Sequence, residues 1–139
     1  MHPFLQVAGL TLLLMGPTSP TQPKPTPLDQ WLDALASAES GNRAWVVVRD
    51  EDGGYNYGCL QFREKTFRAY VRRYNLAPGL NQDEVMGLAY NCSFQKQLAA
   101  RMIRENPNNW KHWKKSVLEK VGLPPLMKGT AARTPPDLR

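Results

Sequence analysis

The chain has 139 residues, 42% hydrophobic and 22% charged, with a formal net charge of +6. That is room for one core of about a hundred residues and not for two, and the apolar share excludes a chain that is disordered throughout. Two histidines and two cysteines are too few and too scattered for a zinc pattern, so neither a metal nor a cofactor is expected.

From the N-terminus, Met1-His2-Pro3 precedes an apolar run from Phe4 to Met15 in which Gln6 is the only strongly polar residue. As a helix this run would span roughly 18 Å, short of the ~30 Å hydrocarbon layer. Its length fits a secretory signal segment over residues 1–16 better than a membrane span, and predicts export to the periplasm or beyond. An uncleaved segment would tether the protein to a membrane, and the alternative is a partly buried N-terminal piece. Residues 17–27 carry prolines at 17, 20, 23, 25 and 27 and read as an extended linker.

Leu28, Leu32, Leu35 and Glu39 then recur at i, i+4, i+7 and i+11, which places all four in one stripe of a helix. Trp31 flanks the stripe and Gly41 supplies the stop. Glu39 therefore stands in the last turn, on the apolar face. Desolvation and the negative end of the helix dipole both disfavour its anion there. A carboxylic acid kept protonated toward neutral pH is what a general acid needs.

A β-like run, Trp45-Val46-Val47-Val48, and the acidic turn Asp50-Glu51-Asp52-Gly53-Gly54 predict a hairpin over about 44–57. Phe67, Tyr70, Val71 and Tyr74 predict a helix over 64–74. Asn81 and Glu84 suit the capped start of a third helix, interrupted around Asn91-Cys92-Ser93 and stopped at Asn106-Pro107. Its second half is lined by Phe94, Leu98 and Met102. Trp110, Trp113, Val117 and Val121 predict a last helix ending at Gly122 and Pro124-Pro125. Residues 126–139 read as a disordered tail. The fold class is α+β, predominantly helical, with one small hairpin. Cys59 and Cys92, an even count behind an export-like segment, predict one disulfide closing a loop of about 33 residues, with a reduced cytoplasmic pair as the alternative.

A helix ending in Glu39-Ser40-Gly41, a hairpin, and then Gly58-Cys59-Leu60-Gln61-Phe62 opening a second helix resembles the lysozyme-like lytic transglycosylases, including small phage and conjugation-associated types. The resemblance runs over residues 28–125. It implies a lysozyme-like domain that cuts the β-1,4 bond between MurNAc and GlcNAc of peptidoglycan, with the hairpin beside the active site. In that family a single Glu protonates the leaving oxygen and then, as base, activates the substrate's own C6 hydroxyl, while the substrate N-acetyl group stands in for a second carboxylate. Glu39 takes both roles by resemblance.

Ser40, Tyr57, Gly58 and Gln61 are the candidate substrate contacts. Ser40 would also bond locally at the helix end, Tyr57 could stack on a sugar ring, Gly58 would admit close approach of backbone or sugar, and Gln61 offers donors and an acceptor. Ala89-Tyr90-Asn91 matches a triplet found near the family's active site, though closer to Gln61 than is usual, and makes Tyr90 a further candidate. The expected partners are peptidoglycan strands and a secretion or phage assembly, with no specific nucleic acid and a monomeric protein. Two alternatives stay open: a hydrolase that adds Asp50 or Asp52 to Glu39, and a non-catalytic module that binds cell wall or nucleic acid. The positive charge, clustered at 63–73 and 111–120, suits any polyanionic partner and separates these little.

Overall fold

Thr26 caps the first helix: its hydroxyl accepts from the Asp29 amide and the Asp29 carboxylate accepts from the Thr26 amide. This reciprocal box satisfies two donors that a helix start would leave unpaired. Pro27, at the first helical position, loses nothing there because its missing N–H would have had no partner. Helix α1 spans Pro27–Ser40 and closes on Gly41 in the left-handed conformation. The computed structural model describes residues 23–127. The expected export segment (1–16), the linker as far as residue 22 and the tail from 128 onward lie outside the described residues.

Two strands, β1 (Val47–Arg49) and β2 (Tyr55–Tyr57), form the expected hairpin, with Val47 opposite Tyr57 and Arg49 opposite Tyr55. A third strand, β3 (Phe62–Arg63), pairs with β2 and makes a three-stranded antiparallel sheet where a lone hairpin was expected. Two residues are too few to show the period-2 alternation by which a strand is read. β3 runs directly into α2 (Glu64–Arg73), followed by α3 (Gln82–Gly87) with the Asn81/Glu84 capping box in place. A 3-10 turn, Leu88–Tyr90, leads to α4 (Cys92–Glu105), which Asn91 caps.

The C-terminal segment departs from one regular helix. Pro107–Trp113 is 3-10, Lys114–Ser116 makes one α turn, and Val117–Val121 is a π turn. The tight first part sets Trp110 and Trp113 three residues apart on one face, both buried. The Trp113 indole N–H donates to the Leu60 carbonyl at 2.8 Å, and that of Trp31 to the Gly122 carbonyl at 2.9 Å. Residues 125–127 form a helical turn, which takes in Leu126 and Met127, expected to begin the tail.

The core gathers Leu28, Trp31, Leu32 and Leu35 of α1 with Leu98, Met102 and Ile103 of α4. Phe62, Phe67 and Trp113 join them edge to face, with ring centroids 5.3 to 5.6 Å apart. Leu35 is fully buried, and truncating such a leucine to alanine costs about 2–5 kcal/mol. The first helix packs against the C-terminal segment, and its last residue, Ser40, bonds to the Cys59 carbonyl beyond the hairpin. Among the described residues no helix is long and apolar enough to cross a membrane.

Candidate active site

Glu39 sits one residue before the end of α1, as its place in the stripe demands, and is partly buried. Burial is the main cause that raises its carboxyl above the ordinary range. A hydrogen bond from the Ser116 hydroxyl and the charge of Lys120 pull the other way, and the negative charge of Asp50 adds to the rise. Groups on two other segments thus act on Glu39 electrostatically: Ser116 and Lys120 of the C-terminal segment and Asp50 of the hairpin turn. No basic residue occupies the last turn of α1 to offset the helix dipole.

Ser40 is 4% exposed, and its hydroxyl bonds to protein groups on every side. It lies 3.2 Å from the Ala36 carbonyl, donates to the Cys59 carbonyl at 2.8 Å and accepts from the Arg43 amide at 3.0 Å. Ser40 therefore joins the end of α1 to the segment Gly58–Gln61, a framing position with no surface left for a sugar. Cys59 is disulfide-bonded to Cys92 at the start of α4, as the cysteine count predicted.

Gly58 has φ +75°, and a Cβ there would lie 2.4 Å from the Ala89 carbonyl oxygen and 2.6 Å from Gln95 Nε2. The close approach that only glycine allows is made by protein, not left open for a ligand. Gln95 is the residue that the sequence pattern passed over. It is fully buried; its Oε1 accepts from the Leu60 amide at 2.7 Å, and its Nε2 donates to the Tyr57 and Ala89 carbonyls, both at 2.7 Å. The available signal was a polar residue at i, i+3 and i+7 with Leu98 and Met102, on a face that otherwise reads as core.

Gln61 adopts φ +52°, uncommon for a residue with a side chain. Its own amide group holds that conformation, with Nε2 donating to the Val46 carbonyl at 3.1 Å and the Gly58 carbonyl at 3.0 Å. Oε1 is then the atom of Gln61 with which a ligand could bond. Tyr57 and Tyr90 meet edge to face at 6.1 Å, and Tyr90 stacks on Trp45 at 5.2 Å. The Tyr57 hydroxyl points at Glu64 Oε1, 3.5 Å away, and burial together with the Glu64 charge raises its pKa.

The acidic turn is clamped. Arg63 reaches Asp50 at 2.5 Å and Asp52 at 2.6 Å, while the Asp52 carboxylate also accepts from the Gly54 amide at 2.9 Å. The Arg63 hydrogen bond first, and then that amide, lower the Asp52 pKa. Elsewhere a cavity of about 480 Å³ between α1 and α4 is lined by Asp29, Asp33, Lys96 and Arg104, and Glu39 is not part of its wall. Asp50, Ser116 and Lys120 are linked to Glu39 through their effect on its charge. Trp45, Tyr57, Gln61 and Tyr90 form another set, and Ser40, Gly58 and Gln95 brace the two.

Among the described residues no group of three or more His, Cys, Asp or Glu side chains converges as a metal cage would require. Comparison with protein-family models, with characterised proteins and with solved structures finds no match to this chain.

Proposed function

We propose that the protein is a peptidoglycan-cleaving lytic transglycosylase of lysozyme-like architecture, with Glu39 as its acid and base. The observation that carries this reading is a partly buried carboxylic acid at a helix end, its pKa raised chiefly by burial, with the hairpin turn near enough for Asp50 to act on it. Such a group can deliver a proton to the glycosidic oxygen as the C1–O bond breaks and an oxocarbenium-like centre develops. The resulting carboxylate then takes the proton of the substrate's C6 hydroxyl while that oxygen bonds to C1. Glu39 ends protonated, and the product carries a 1,6-anhydro end. The Ser116 hydroxyl and the Lys120 charge stabilise the carboxylate in the second half of this cycle.

One specific observation favours a second reading, a hydrolase that pairs Glu39 with Asp50: the charge of Asp50 reaches Glu39. Against it, Asp50 is bound to Arg63, an arrangement that turn geometry and charge pairing account for without catalysis. Export is part of the proposal, since its substrate lies outside the cytoplasm; the Cys59–Cys92 bridge supports an oxidising compartment. Peptidoglycan strands are the proposed partner, and a monomer suffices. Mass spectrometry of muropeptides released from purified sacculi tests the chemistry. Anhydro ends are expected, reducing ends would assign the hydrolase, and retention on the wall without release would leave a binding module.

A further inference from the structure

Trp45 stands just ahead of β1 with 78% of its surface exposed, although tryptophan is among the side chains that gain most from burial. The ring is nonetheless held in place. It stacks on Tyr90 with 5.2 Å between centroids and 20° between planes, and Tyr57 supports Tyr90 from its edge. One face of the indole is therefore covered and the other faces outward. The adjoining backbone is fixed as well, because the Val46 carbonyl accepts from the Gly58 amide at 2.7 Å and from Gln61 Nε2 at 3.1 Å. Tyr90 in turn precedes Asn91, the cap of α4, and the bridged Cys92.

A flat ring fixed in advance and facing solvent loses little conformational entropy when it binds. The matching ligand is one that offers a single flat C–H face rimmed by hydroxyl and amide groups, which describes a pyranose. A stable protein partner would need a contiguous patch of about 800 Å² on each side. Here the exposed apolar side chains nearest the indole in sequence and sheet are Val47, Val48 and Tyr55, and Val48 points to the sheet face opposite Val47 and Tyr55, which divides the patch. We infer that Trp45, backed by Tyr90, is a stacking subsite for one N-acetylhexosamine ring of a glycan strand. The inference rests on the reading of the protein as glycan-cleaving and adds a binding position to that reading.

The test titrates a pentamer of N-acetylglucosamine into the Glu39→Gln protein and follows the indole N–H resonances. Trp31, Trp110 and Trp113 are buried, so the one exposed indole reports on this surface. The Trp45 resonance is expected to move with saturation. Trp45→Ala in the same background should weaken binding about five- to tenfold, and Trp45→Phe should keep most of the affinity. Equal affinity in Trp45→Ala overturns the subsite, as does a parent protein that ignores the pentamer. Self-association that Trp45→Ala abolishes also overturns it, by assigning the ring to a contact between copies. Sacculus digestion by the wild type is scored separately. Digestion without a Trp45 effect sinks the subsite alone, and pentamer binding at Trp45 without digestion sinks only the catalytic reading.

Discussion

The Ser40 hydroxyl donates to the Cys59 carbonyl at 2.8 Å, and through that bond the helix end carrying Glu39 is fastened to the segment that carries the disulfide. Cys59 is tied to α4 through Cys92, and the Gly58 amide is tied to Val46 at the start of the hairpin. Three elements that are distant in sequence thus set the position of one carboxyl group. Catalysis by a positioned acid depends on such constraints, because small displacements of the reacting group cost rate steeply.

Replacing Ser40 by alanine leaves the buried Cys59 carbonyl without its donor and the Arg43 amide without its acceptor. The expected loss is about 1–3 kcal/mol of stability, read as a lower urea midpoint with an unchanged slope. Ser40→Thr, which keeps the hydroxyl, should recover part of it.

Gln95→Leu keeps most of the side-chain volume but strands the Leu60 amide and the Tyr57 and Ala89 carbonyls. A loss of roughly 3 kcal/mol is expected. Hydrogen exchange separates this from ordinary core damage: protection should fall first at the Leu60 amide, ahead of the α1 amides.

Reduction of the Cys59–Cys92 bridge releases a loop of 33 residues, for which chain entropy gives about 3–4 kcal/mol. Melting with and without a reductant should show the shift. The Cys59→Ala/Cys92→Ala double variant should match the reduced protein.

The raised pKa of Glu39 makes a signed statement about stability. Its folded-state value lies above the unfolded one, so its contribution is fully present below the ordinary carboxylate value of 4.5 and is lost as pH rises through the folded value. Glu39→Gln removes that loss. The variant should melt above the wild type at pH 7, with the difference shrinking toward pH 4. A wild type that is the more stable of the two at pH 7 would contradict the buried-acid description. Activity should fall on the alkaline side as Glu39 ionises, and Asp50→Asn should move that limb to lower pH, because the Asp50 charge helps to raise the Glu39 pKa.

Much of this was legible in the residues because it is local. The stripe Leu28, Leu32, Leu35 and Glu39 with Gly41 beyond it, the Asn81/Glu84 box and the stop at Asn106-Pro107 all encode their structure within a few positions. β3 was not legible, since Phe62-Arg63 reads equally as the approach to a helix. The mixed turns of 107–121 depend on where Trp110 and Trp113 must reach, one of them to a carbonyl 53 positions away. At the candidate site, Glu39 could be picked out because a charge on an apolar stripe is anomalous. Ser40 and Gly58 were noticed, but their part in the frame was set by Cys59, Ala89 and Gln95, which spacing alone does not bring together. Trp45 falls in a strand-like run, and its place as an outward-facing ring depends on stacking with Tyr90, 45 positions away.

The most direct measurement is the rate at which purified sacculi release soluble muropeptides with the wild type and with Glu39→Gln, both shown to be folded. Glu39 as acid and base predicts 1,6-anhydro products from the wild type and a rate lower by a factor of about 100 or more in the variant. Release at equal rates from both proteins, or none from either, would contradict it.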